Sequence, residues 1–199
     1  PVIVDNKPGA TGTIGGAFVA KSTPDGTTAL VTTIGAQAIA PHLMGKLPYE
    51  PLRDLAPVAL IGTIPNVMVT APTQAFKTVP ELLSMARSRK GEIAYASGGN
   101  GTISQMQAEL LALRSDVKLL HVPYKGAGPA LIDLTAGQVD VLFDNLPSSV
   151  PHIKSNRIRA LAVTSAAPEP SMPNLPTVGA TVPGYEATAW FGIGMPKNT

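Results

Sequence analysis

The chain has 199 residues, 44% of them apolar and 14% charged, with a formal net charge of +2. Such a length holds one large domain or two small lobes around a real core, and the scarcity of aromatics and of any basic stripe argues against nucleic-acid binding. The absence of cysteine excludes disulfides, thiolate catalysis and Cys-ligated metal sites, and no apolar run reaches the ~20 residues that a membrane-spanning helix needs.

Val2–Val4 opens the chain as a strand-like run with no secretory leader before it. A mature chain rarely starts one residue before a strand, so further residues are expected upstream. Asp5 to Gly12 is a turn-rich loop, and Thr13 is placed to cap a helix from Ile14 to about Lys21. Thr28 to Thr33 reads as a buried strand. Pro41 to Asp54 reads as a polar connection. Two apolar runs follow, Val58–Ile61 and Val67–Thr70, with Pro65-Asn66 between them. Thr78-Val-Pro-Glu81 is a capping box that starts a helix with Val79, Leu82, Leu83 and Ala86 on one face. Gly91 is its expected stop.

The second half alternates cleanly. Strands are expected at Ile93–Ala96, Leu119–Val122, Val139–Phe143 and Ile158–Val163. The helices between them start at Thr102, run through Ala130–Leu134 to Gly137, and span about Ser148–Lys154. In the first of these, Ile103, Met106, Leu110 and Leu113 form the apolar face. This order implies an open, mainly parallel α/β sheet over residues 93–163. Residues 1–61 hold part of a second such unit. Pro168 to Gly184, with five prolines and two glycines, is a loop, and Thr188–Met195 is a last strand.

Four segments are candidate sites. In Ser97-Gly98-Gly99-Asn100-Gly101-Thr102 a glycine-rich loop leaves a strand and enters a helix, where ligands bind beyond strand carboxyl ends. The helix start favours an anion, although Thr102 also reads as an ordinary N-cap. No Gly-Lys-Ser/Thr follows, so it is not a P-loop. Asp144 and Asn145 close the next strand but one, facing the same edge; either also reads as a helix cap. Gly9–Gly16 lacks the dinucleotide spacing and reads as a tight turn or close helix packing. Thr33 and Gly35, in Thr32–Ala36, end a buried strand and read equally as a ligand-lining pair or a turn. Ser97, His121 and Asp144 could be imagined as a triad, but Ser97 is in no Gly-x-Ser-x-Gly elbow. The three histidines lack metal-ligand spacing.

Taken in order, several segments resemble the tripartite tricarboxylate transporter substrate-binding proteins, the Bug or TctC family. They include Asn6–Ala10, Pro24–Gly26, Leu47–Pro51, Tyr95–Gly101, His121–Gly126, Gly137–Asp140, Phe143–Asn145, Arg159–Ser165 and Pro183–Glu186. The resemblance implies a two-lobed, type II-like periplasmic-binding-protein fold with crossing strands at its hinge. Lobe one would occupy residues 1–68 without its first strand, lobe two residues 69–187, and a return crossing 188–199. It implies a periplasmic binder, not an enzyme, that needs no cofactor or metal. Such a protein captures a small carboxylate (a dicarboxylate, amino acid or aromatic acid) in an interlobe cleft. It delivers that ligand to membrane transporter subunits or to a sensor protein. Further chain is expected on both sides of these residues. The competing readings are an α/β enzyme holding a phosphorylated substrate at Gly98–Thr102, and a ligand-free interaction module of the same fold.

Overall fold

The computed structural model describes residues 1–199. Its first residues depart from expectation. Val2, Ile3 and Val4 are exposed and lie outside every strand, because an extended run becomes a strand only when a neighbour takes up its backbone hydrogen bonds. Gly9, Ala10, Thr11 and Gly12 then have four consecutive positive φ values, 113°, 44°, 58° and 86°. This left-handed turn leads into helix α1, Thr13–Ala20. Thr13 does not cap it; its hydroxyl donates back to Ala10 O at 2.8 Å. Strand β1 spans Leu30–Thr33. A wide π turn over Gly35–Ile39 runs into α2, Ala40–Leu43, and α3 covers Pro51–Asp54, so the expected connection contains two single-turn helices.

The two apolar runs around Pro65 are one strand, β2, Leu55–Thr70. Pro65 is tolerated because the ladder to the next sheet begins one residue later, at Asn66↔Asn145, so its missing N–H is not needed there. Helix α4, Val79–Ser88, buries the expected face of Val79, Leu82, Leu83 and Ala86. Thr78 accepts from Glu81 N at 3.4 Å, while Glu81 Oε2 accepts from Lys77 N at 2.6 Å, one residue earlier than in a standard box. Strand β3 is Ala94–Ser97 and α5 is Ile103–Ser115. The expected apolar face of α5 is not the buried one. Ser104, Gln107, Ala108 and Leu111 are buried, whereas Leu113 is 79% exposed. Polar Ser104 and Gln107 are tolerated inside because main-chain groups bond to them, which an apolar pattern cannot reveal. Next come β4, Leu120–Pro123; α6, Ala127–Thr135; β5, Val141–Asn145; α7, Leu146–Lys154; β6, Arg159–Val163; and β7, Thr188–Pro196. No helix is long and apolar enough to cross a membrane.

The chain divides into two units. The first comprises Pro1–Thr63, Asn100–Ile103 and Trp190–Thr199; the second comprises Ile64–Gly99 and Ser104–Ala189. In the first, β1 pairs antiparallel with β7, Leu30 opposite Gly194 and Thr33 opposite Phe191. Val19, Leu30, Tyr49 and Leu55 make its core. Gly16 has no room for a side chain because the Tyr49 ring occupies that space, so close helix packing is what this glycine allows.

In the second unit the strand order is β4-β3-β5-β2-β6. β3 pairs parallel with β4 and β5, while β2 runs antiparallel to both β5 and β6. Four of these five strands therefore share one direction, as the alternation implies, and the inserted β2 opposes them. One face packs α4 and α5 through Met68, Leu82, Tyr95, Leu111 and Phe143. The other packs α6 and α7 through Val67, Ala96, Leu134, Leu142 and Leu146.

Candidate functional site

The shared direction of β3, β4, β5 and β6 brings Ser97, Pro123, Asn145 and Val163 to one carboxyl edge of the second unit. From that edge the glycine loop leaves β3 and enters α5. Gly99 at φ 133° and Gly101 at φ 78° adopt backbone that side chains rarely allow. Ser97 is fully buried; its hydroxyl lies 3.2 Å from both Gly99 N, which donates to it, and Gly99 O. Gly98 N donates to Ser104 Oγ at 3.1 Å, and Gly98 O accepts from Gly126 N at 3.1 Å. The start of the loop is thus held by its own chain. Asn100 is exposed, Gly101 is buried, and Thr102 directly precedes α5.

Ser97 Oγ lies 2.7 Å from His121 Nε2. The parallel register of β3 and β4 sets Tyr95 beside His121, with rings 4.8 Å apart at 15°. Tyr95 donates to Glu109 Oε1 at 2.5 Å. Burial pushes the His121 pKa below its ordinary value, against a smaller upward pull from Glu109. The folded state therefore binds a proton at His121 less readily than the unfolded chain does. Stability contributed by neutral His121 is present above the unfolded pKa of about 6.5 and is lost as the pH falls through it. Thermal melts of the wild type are expected to drop between pH 7 and 5, and His121→Gln to flatten that slope; parallel slopes would show that other groups carry it.

The Ser97-His121-Asp144 arrangement does not assemble. Asp144 alternates with Phe143 and so lies on the opposite sheet face from Tyr95 and His121. There its Oδ2 accepts from Ser148 and Ser149 at 2.7 Å each, tying β5 to the first turn of α7. Asn145 occupies the N-cap position of α7 without a side-chain capping bond and stands opposite Asn66 in the ladder. No cluster of metal-ligating side chains forms.

In the first unit, Thr33 and Gly35 meet the left-handed turn. A methyl group on Gly35 would lie 2.7 Å from Thr11 Cγ2, 3.4 Å from Gly101 O and 3.5 Å from Thr33 Oγ1. Thr11 Oγ1 donates to Asn100 O. Thr33, Gly35, Asn100 and Gly101 are thus brought together around Thr11.

A model of the tripartite tricarboxylate transporter family receptor, TctC, matches residues 1–199. The chain belongs to the TctC receptor family. It is 40% identical to the UPF0065 protein in the tcbD-tcbE intergenic region of Pseudomonas sp. (strain P51), covering 100% of this chain and 59% of that protein. Among solved structures it is similar to R. palustris Rpa4515 with adipate (TM-score 0.96, 37% identity, 99% of this chain and 66% of that one). It is also similar to MatC (Rpa3494) from Rhodopseudomonas palustris with bound malate (TM-score 0.88, 33% identity, 96% of this chain and 65% of that one). The chain therefore spans about three fifths to two thirds of the length of these proteins.

Thr11 and His121 are not among the expected ligand positions, yet each contacts the glycine loop, Thr11 through Asn100 O and His121 through Ser97 Oγ. Thr11 sits in the Gly9–Gly16 segment, which reads as a tight turn or close helix packing, and its signal is the Gly9-x-x-Gly12 frame that permits left-handed backbone. In the sequence alone His121 has no metal-ligand spacing to the other histidines and stands in a strand-like run. Its signal was the alternation that gives β3 and β4 equal lengths in register, setting Ser97 opposite Pro123 and Tyr95 opposite His121.

Proposed function

We propose that this chain is the ligand-holding portion of a periplasmic solute-binding protein that captures a small carboxylate and delivers it to a tripartite membrane transporter. The carrying observation is the Ser97–Thr102 loop at the carboxyl end of β3, leading into the 13-residue helix α5, in a chain matched along its whole length by the receptor family. A glycine backbone admits close approach, and the start of α5 favours negative charge without any arginine in the loop. Asp144, Asn145, Thr33 and Gly35 are the further residues assigned to ligand binding. Adipate and malate, held by the two similar R. palustris proteins, are both dicarboxylates. Catalysis finds no support in the geometry, since Asp144 lies on the opposite sheet face from Ser97 and His121 and the serine is buried.

Thermal melts of the chain against dicarboxylates, amino acids and aromatic acids test this reading. At a hundred times Kd, a ligand stabilises the native state by about 2.7 kcal/mol, or roughly 5–10 °C in a chain of this size. A flat response across all acids would overturn it.

A further inference from the structure

The second unit has a cavity of about 580 Å³ at the sheet edge away from the glycine loop. Its place follows from β6, which runs from Arg159 in the cavity lining to Val163 at the carboxyl edge, four residues or about 13 Å away. Much of the lining is apolar. Ile153 of α7, Ile158, Met172 and Leu175 contribute it, and all four belong to or pack against the core on that sheet face. Arg159, Asn156, Ser171 and Asn174 supply the polar lining, and no aspartate or glutamate joins them.

The walls are set before any ligand arrives. The 168–176 loop contains Pro168, Pro170, Pro173 and Pro176, whose rings fix backbone φ. Met172 N donates to Glu169 O and Leu175 N to Met172 O, while Val163 N fastens the end of the loop to β6 through Pro176 O at 2.9 Å. A preformed pocket loses little conformational freedom on binding.

Arg159 keeps its charge at any working pH and has no counter-ion. The ion pairs of the molecule join Lys7 to Asp5 and Arg53 to Glu50 and Asp54, all in the first unit. Asp140, beside Val141 on the far side of Thr70 from Arg159, accepts from Gln74 Nε2 and Ala94 N with its two oxygens. The end of α7 does not need the guanidinium either. The carbonyls of Pro151, His152 and Ile153 accept from the main-chain N–H groups of Ser155, Arg157 and Asn156. Arg159 Nη1 is buried. Water can solvate that nitrogen but supplies no opposite charge. Against partly apolar walls the attraction for an anion exceeds its value in bulk water, and the planar fork of arginine matches a carboxylate.

We propose that this cavity is a second ligand site, for a small carboxylate with an apolar body such as an aromatic or branched-chain acid, and that Arg159 is its charge partner. The volume lies in the range of small-molecule pockets. The site shares no residue with the glycine loop, so it stands or falls apart from the carboxylate reading made there.

Benzoate, followed through the backbone amide resonances of the isotope-labelled chain, tests it. Benzoate is expected to move the amides of Ile153, Asn156, Met172 and Asn174, and benzamide, with the ring but no charge, to leave them in place. Arg159→Met keeps the apolar stem and should abolish those shifts. Asn174→Asp sets a negative charge in an exposed loop and should weaken them about tenfold while leaving any response of Ser97–Thr102 unchanged. That loop variant carries the test should Arg159→Met fail to fold. Equal shifts with benzamide would mean an apolar hollow without charge recognition, and overturn the proposal. Benzoate shifts confined to Ser97–Thr102 would also overturn it, and would leave the glycine-loop reading standing. Pocket shifts with a silent glycine loop would sustain the second site alone, and no shift at either place would overturn it.

Discussion

Tyr95→Ala is expected to destabilise the chain by about 3–5 kcal/mol in urea unfolding, the range for removing a large buried ring. Tyr95 is 1% exposed, packs in the core against α4 and α5, and stacks on His121. Tyr95→Phe keeps the ring and its stack but removes the hydroxyl that donates to Glu109. A hydrogen bond to a charged group contributes about 1.5–3 kcal/mol, so this variant should lose less than the alanine. The contrast bears on the site because Tyr95 orients the imidazole whose Nε2 meets Ser97. If phenylalanine destabilises as much as alanine, the Glu109 bond and not ring packing sets the position of β3 against α5. If neither variant shifts the midpoint, the core around β3 is not the source of stability inferred for it.

Much of this arrangement is written locally in the chain. Thr78 and Glu81 mark the start of α4, and the spacing of Val79, Leu82, Leu83 and Ala86 gives its buried face. The glycine loop announces itself because Gly99 and Gly101 occupy positive φ where few other residues fit. The TctC resemblance was legible because many such short segments recur in order. What escaped is what depends on distant partners. Whether Leu55–Thr70 is one strand or two depends on where β5 begins to pair, which no window around Pro65 contains. The buried face of α5 follows Gly98 and Ala187, which supply partners to Ser104 and Gln107, and so it defeats an apolar count. Val2–Val4 has the composition of a strand and no neighbour to pair with. Strand propensity describes fitness for a pleated surface and cannot create one.

The same long-range logic governs Thr11 and Gly35, 24 positions apart in the sequence. Gly35→Ala adds a methyl group 2.7 Å from Thr11 Cγ2, a contact that must be relieved by movement. Gly35 does not need glycine for its backbone, since its φ is outside the positive region, so the effect is steric alone. Overpacking of this kind costs about 1–3 kcal/mol. The yielding partner is Thr11, already in left-handed backbone that a β-branched residue seldom adopts, and its hydroxyl donates to Asn100 O. Displacing it loosens the end of the glycine loop, and carboxylate affinity is expected to fall about tenfold with it. Thr11→Ser removes the methyl group and keeps the donor. Alone it should be neutral or slightly stabilising; combined with Gly35→Ala it should restore both stability and affinity, a coupling of about 0.5–3 kcal/mol between residues in contact. A double variant as impaired as Gly35→Ala would mean that the alanine acts through Gly101 O or Thr33 and not through Thr11. A Gly35→Ala protein of wild-type stability and affinity would mean that the left-handed turn is not a support of the loop at all.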